Sequence, residues 1–188
     1  YLKKEHFFPY THMGQDGERD FRCFTARGIF CGLDVGGWYF EEIDKQIGGA
    51  AIQDYIRKIG YGNEIVNADL SAYWMQGALK ISPIEQVELL TALYNNQFDF
   101  APENINAIKN SICLFSSESK NFYGKTGTGR VDGQDVNGWF VGLLETAGNT
   151  YFFATNIQAA ENATGSKASE ISLSILSHMG IWKKMLLF

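Results

Sequence analysis

The string best equipped for chemistry in this 188-residue chain is Lys125-Thr126-Gly127-Thr128. It places an ammonium and two hydroxyls around a residue with no side chain. On a strand, the glycine would leave the backbone open to an extended ligand, while ammonium and hydroxyl held an anionic group against it. The flanks favour a strand. Asn121 to Gly124 mixes an aromatic pair with polar residues, and Val136 to Thr146 and Tyr151 to Ile157 are apolar, aromatic and β-branched, divided by Gly148-Asn149. An antiparallel sheet is predicted. The same string also fits a glycine-rich hairpin with a solvated lysine, because short motifs recur by chance.

The elements that must position this string are mostly helical. Trp38, Phe40, Ile43 and Ile47 recur at helical intervals, with Glu41, Glu42, Asp44 and Lys45 as the polar face and Gly48-Gly49 as the stop. A second amphipathic helix is predicted over Ala50 to Ile59, broken by Gly60-Tyr61-Gly62-Asn63. Residues 64–81 read as a long connection carrying Tyr73-Trp74-Met75. Ser82-Pro83-Ile84-Glu85 then has the form of a helix start: serine as N-cap, proline first, glutamate third. That helix runs to Asn95-Asn96, and Ala101-Pro102-Glu103 opens another with Ile105, Ile108 and Ile112 as its stripe. Gly165 to Met179 is predicted as a closing helix stopped by Gly180. Helices, then antiparallel strands, then a helix able to pack back on the sheet make an α+β fold. Residues 1–34 show no sustained period and are expected to be irregular.

Composition excludes several classes. Hydrophobic residues at 45% and charged residues at 20% are those of an ordinary globular protein. A net charge of -5 argues against a nucleic-acid partner. No apolar run is long enough for a membrane helix, and no signal peptide is visible. Cys23, Cys31 and Cys113 have no pairing that sequence establishes, and His6, His12 and His178 are scattered, so no metal site is expected.

Four pieces, in order, resemble one family. They are Trp38-Tyr39-Phe40-Glu41-Glu42-Ile43; Tyr61-Gly62-Asn63; Tyr73-Trp74-Met75 with Leu79-Lys80-Ile81-Ser82-Pro83; and Lys125-Thr126-Gly127 with Gly138-Trp139-Phe140-Val141-Gly142. From Gly37 onward the chain resembles the serine-acylating, penicillin-recognising fold, within it the class D (oxacillinase-type) β-lactamases and the sensor domains of β-lactam receptors. The resemblance implies a serine β-lactamase/transpeptidase-like α+β domain over residues 35–188. It also implies a β-lactam antibiotic as ligand, no cofactor, and a secreted, periplasmic or cell-surface location.

By the same resemblance, Lys125, Thr126 and Gly127 bind the ligand carboxylate and align its amide, and the Thr128 N–H is half of an oxyanion hole. Tyr61 and Asn63 belong to a loop that shapes the site. Trp74 matches the tryptophan whose indole holds a carbamylated general-base lysine. Lys167 stands near an arginine that relatives use for the carboxylate; lysine keeps the charge and loses the bidentate fork. Read without the family, Trp74 is a core residue and Tyr61-Gly62-Asn63 a plain turn. Trp139 and Phe140 are core strand residues in either reading.

The family's chemistry needs a Ser-x-x-Lys at the start of a buried helix, in which the serine attacks and the lysine takes its proton. No serine precedes Ser71, and Val35-Gly36-Gly37 stand where relatives carry a second serine motif. Ser117-Glu118-Ser119-Lys120 and Thr164-Gly165-Ser166-Lys167 are expected to be look-alikes. The chain is therefore expected to lack the N-terminal third of such a domain, with residues 1–34 arising from a shifted frame or damaged gene. Three functions follow: β-lactam hydrolysis through an acyl-serine, impaired here; a sensor acylated without turnover; or a non-catalytic remnant.

Overall fold

The computed structural model describes residues 12–13, 19–20, 43–67, 70, 73 and 77–182. Trp74, most of residues 1–34 and the predicted helical turn before Ile43 lie outside the described residues.

Two short strands, β1 (His12–Met13) and β2 (Arg19–Asp20), pair antiparallel. Residues 43–47 are helical and end at Gly48, whose φ of 84° only glycine adopts freely. Helix α1 (Gly49–Lys58) follows as predicted, with Ile52 buried and Arg57 and Lys58 complementing the negative end of its dipole. Helix α2 (Pro83–Tyr94) starts in the predicted capping box: the Glu85 N–H donates to Ser82 Oγ at 3.2 Å, and the Ser82 N–H donates to Glu85 Oε2 at 2.7 Å. Helix α3 (Pro102–Ser111) likewise begins on its proline.

Among the described residues the main sheet has four strands in sequence order: β3 (Cys113–Ser116), β4 (Lys120–Val131), β5 (Gln134–Thr146) and β6 (Thr150–Gln158), all antiparallel. β4 and β5 are joined by Asp132-Gly133, both with positive φ (49° and 80°), the two-residue turn whose twist matches paired strands. β3 was not predicted; Ile112, assigned to the stripe of α3, is instead that helix's C-cap. Helix α4 (Gly165–His178) closes the chain, capped by Thr164, with Gly180 just past its end at φ 71°.

Alternation along the strands sorts their side chains to two faces. The even face carries Phe122, Phe140 and Leu144, which pack with Ala168 and Leu176 of α4 and with Phe153 and Trp182. Phe140 and Leu144 are 1% and 0% exposed, so each contributes about 1.5–3 kcal/mol of burial. The odd face carries Asn121, Tyr123, Lys125, Leu143 and Glu145, with α2 and the end of α3 laid against it through Tyr94 and Lys109. Trp139 and Phe140 therefore part company. Phe140 is core, whereas Trp139 stands half-buried on the odd face, opposite Gly127.

Candidate functional site

Lys125 to Thr128 lies in mid-β4, where one side of the strand loses its partner. β3 pairs with β4 only as far as Tyr123, and the Gly124 N–H donates to Ile112 O at 2.9 Å. Beyond that, among the described residues, only β5 pairs with 125–129, through Lys125 opposite Val141, Gly127 opposite Trp139 and Thr128 opposite Gly138. Successive residues of an antiparallel strand aim their backbone groups to alternate sides. With the Gly124 N–H directed toward β3, the amides and carbonyls of Thr126 and Thr128 face the open edge.

The side chains flank that edge rather than share a face. Lys125 belongs to the odd face and Thr126 and Thr128 to the even one, yet the Lys125 ammonium reaches round to the Thr126 carbonyl. Thr126, Gly127 and Thr128 are exposed and Lys125 half-buried.

The even side of the same stretch abuts the N-terminus of α4. The Gly165 N–H donates to Thr128 Oγ1 at 3.0 Å, and the Lys167 N–H to Thr164 Oγ1 at 3.1 Å. A Cβ on Gly165 would stand 2.7 Å from Gly127 O and 2.9 Å from Thr126 Cβ, so only glycine permits this approach. The positive end of the α4 dipole thus meets the strand beside Thr126. Lys167, exposed in the first turn of α4, adds a cation where a dipole alone would favour an acid, and that turn holds no acidic residue. Lys125, Thr126, Gly127, Thr128 and the Lys167 turn form one cationic, donor-rich strand edge.

Tyr61 and Asn63 belong to a second group. Asn63 Nδ2 donates to Ala78 O at 2.8 Å, and its Oδ1 accepts from Lys80 N at 2.9 Å and Ile65 N at 3.3 Å. The amide is spent on stitching the loop to residues 78–80. Gly62, at φ 54°, has its Cα so close to Lys80 O that a Cβ would stand 1.9 Å away. Burial pushes the Tyr61 phenol up. Tyr73 beside it is pushed up to about 12 by burial, then by the charge of Asp44, whose carboxylate accepts its hydroxyl.

The two Ser-x-x-Lys look-alikes have other employment. Ser117 turns the β3–β4 connection, with its Oγ accepting from Lys120 N at 3.1 Å, while Lys120 Nζ donates to Ile181 O at 3.1 Å. Ser166 and Lys167 are exposed in the first turn of α4, and Thr164 Oγ1 is taken up in capping that turn. Among the described residues no group of His, Cys, Asp and Glu could hold a metal, and no helix is long and apolar enough to cross a membrane.

Residues the sequence reading passed over form a third group, around Glu145. Lys109 Nζ donates to Glu145 Oε1 at 2.6 Å, and Asn121 Nδ2 and the Tyr123 hydroxyl donate to Oε2 at 3.0 and 3.3 Å. Burial by itself raises the Glu145 pKa; hydrogen bonds from Lys109 and Asn121 and the Lys109 charge outweigh it and hold the carboxyl below its ordinary value. The available signal was a carboxylate in phase with Val141 and Leu143 on an otherwise apolar strand.

Residues 37–177 match the family model described as penicillin binding protein transpeptidase domain. Regulatory protein BlaR1 of Bacillus licheniformis is 47% identical over 175 residues, 93% of this chain and 28% of the relative. That alignment runs into residues 1–34. The solved C-terminal domain of the Bacillus licheniformis BlaR penicillin-receptor superposes with a TM-score of 0.73 at 46% identity, covering 78% of this chain and 59% of that one. A class D β-lactamase from Bacillus subtilis gives 0.70 at 30% identity, covering 78% and 60%. This chain thus spans just over a quarter of the curated receptor and about three-fifths of the solved domains. With its four-stranded antiparallel sheet, flanking helices and matched sequence, the chain belongs to the penicillin binding protein transpeptidase domain family, on the branch shared by penicillin-sensor domains and class D β-lactamases.

Proposed function

We propose that residues 35–188 form the β-lactam recognition unit of a penicillin-sensor domain, and that this chain alone does not turn β-lactams over. The observation that carries the reading is the open edge at 125–128, with the α4 N-terminus and Lys167 beside it. A β-lactam presents an amide and a carboxylate a few bonds apart. The carboxylate suits Lys125, the Thr126 hydroxyl and the α4 dipole, with Lys167 as a further cation. The amide suits strand addition along the backbone groups of the open edge, and the Thr128 N–H on that edge would donate to a lactam carbonyl oxygen as charge develops on it. Tyr61 and Asn63 act through the shape of their loop. For Trp74 the resemblance implies the role of holding the general base. The ligand is met outside the cytoplasm, at the cell surface.

Acylation needs a serine and a base lysine one turn apart on a buried helix. Ser117 and Lys120 are taken up at the β3–β4 turn and Thr164 in capping α4, so recognition is separable from chemistry here. The sensor reading is favoured over an enzyme by 47% identity to a receptor, against 31% to a probable β-lactamase of Bacillus subtilis. Calorimetric titration with benzylpenicillin tests it: binding is expected, weakened roughly tenfold or more by Lys125→Ala, the scale of a lost charge-assisted hydrogen bond. Unchanged affinity in that variant would sink the reading. A chromogenic cephalosporin should not be hydrolysed; hydrolysis that survives repurification and vanishes with Lys125→Ala would restore the enzyme reading.

A further inference from the structure

Glu145 occupies the same sheet face as Lys125, and five elements meet on it. Lys109 arrives from α3, Asn121 and Tyr123 from β4, and Glu145 itself stands next to last in β5. The Lys109 ammonium stands 5.0 Å from the ring centroid of Tyr94, on α2, and 5.2 Å from that of Tyr123. The Tyr94 hydroxyl in turn accepts from Thr150 Oγ1 of β6 at 3.4 Å. Tyr123 is therefore gripped at its hydroxyl by Glu145 and at its ring face by Lys109.

Tyr123 and Lys125 are consecutive on that face, with Gly124 between them and Gly142 opposite Gly124. A pair of facing glycines has no cross-strand side-chain contact to fix the local twist. The rings of Phe140 and Phe153 fill the space instead: a Cβ on Gly124 would stand 2.6 Å from Phe140 Cζ, and one on Gly142 would stand 2.8 Å from Phe153 Cζ. The Lys125 segment is thus moored downstream by Thr128 on Gly165 and upstream by Tyr123 on Glu145.

We infer that Glu145 is a positioning residue for Lys125: by anchoring Tyr123 it sets the direction in which the next side chain on that face leaves the strand. The inference rests on the proposed binding of a β-lactam carboxylate by Lys125. It extends the site along β4 to a carboxylate that touches no ligand.

A double-mutant cycle on the whole chain tests it, with Glu145→Gln and Lys125→Ala made singly and together and benzylpenicillin affinity read by calorimetry. Glu145→Gln is expected to weaken binding roughly tenfold, about one hydrogen bond to a charged group, and to cost nothing further once Lys125 is alanine. Equal losses in both backgrounds would make Glu145 a general support of the fold and overturn the inference. Tyr123→Phe, which removes one hydroxyl and keeps the ring, serves if Glu145→Gln fails to fold; it should weaken binding in the same sense, and unchanged affinity would overturn the inference. Should the unmutated chain bind no benzylpenicillin, the β-lactam reading falls and positioning is read from backbone amide resonances. Shifts reaching Lys125 to Thr128 in Glu145→Gln would sustain it, and shifts confined to residues 120–123 would overturn it.

Discussion

Phe122, Phe140 and Leu144 press against α4 on one face of the sheet, and the polar pair that shares this face, Thr155 with Ser172 at 2.6 Å, is satisfied internally. On the opposite face Asn121, Tyr123, Lys125 and Glu145 line up in a row, and neither α2 nor α3 contributes a fully buried residue. The contrast assigns the two faces different work. The dry face supplies most of the cohesive energy through area removed from water. The polar face supplies direction, because hydrogen bonds and ion pairs fix geometry at small net gain in stability.

Substitution should separate these contributions. Phe140→Ala removes a 1% exposed ring and is expected to cost about 3–5 kcal/mol in urea unfolding. A loss below about 1 kcal/mol would mean that the even face is not a continuous core. Lys109→Ala, on the polar face, should cost about 1–3 kcal/mol by leaving Glu145 without its cation.

That variant should also change the pH profile. Glu145 is held below its ordinary value, so its contribution is complete above the unfolded carboxyl's pKa of about 4.3 and is lost as pH falls through the lower folded value. Without Lys109 the folded pKa of Glu145 should move up toward its unfolded value, so the stability lost on acidification should shrink; an acid limb of unchanged size would show that the pair is not coupled. Tyr123, pushed up to about 12 by burial and then by Glu145, acts at the other end: its contribution is present below the ordinary phenol value of about 10 and fades as pH rises toward 12. The smallest effect belongs to the solvent side of α4. Ile175, 51% exposed, should tolerate replacement by glutamate within about 0.5 kcal/mol.

How far the chain could be read from its residues follows the same division. The capping box at Ser82 and Glu85, the stop of α4 at Gly180, and the strands on either side of Gly148-Asn149 depend on local backbone chemistry, and each formed as expected. The Lys125 to Thr128 stretch was legible because glycine and threonine spacing on a strand is also local. β3 was not: four residues directly after a helical stripe become a strand only through pairing with β4, a tertiary event. The Glu145 cluster was hidden for a related reason. Lys109, Asn121 and Glu145 are far apart in sequence, and each alone reads as an ordinary surface residue. Tyr61 and Asn63 were singled out by resemblance, and no local pattern announces that the Asn63 amide is spent on the backbone of residues 78 and 80.

The tether from Lys120 to the carbonyl of Ile181 has a practical corollary. It holds the polypeptide leaving α4 at the corner of the sheet where β4 begins, five residues before Lys125, or roughly 17 Å at strand rise. The indole of Trp182, stacked on Phe122 at a centroid distance of 4.8 Å, lies at that corner, so its fluorescence should report on the apolar face and not on the cationic edge. Unfolding of the sheet could therefore be followed optically at that ring with the strand edge left unlabelled.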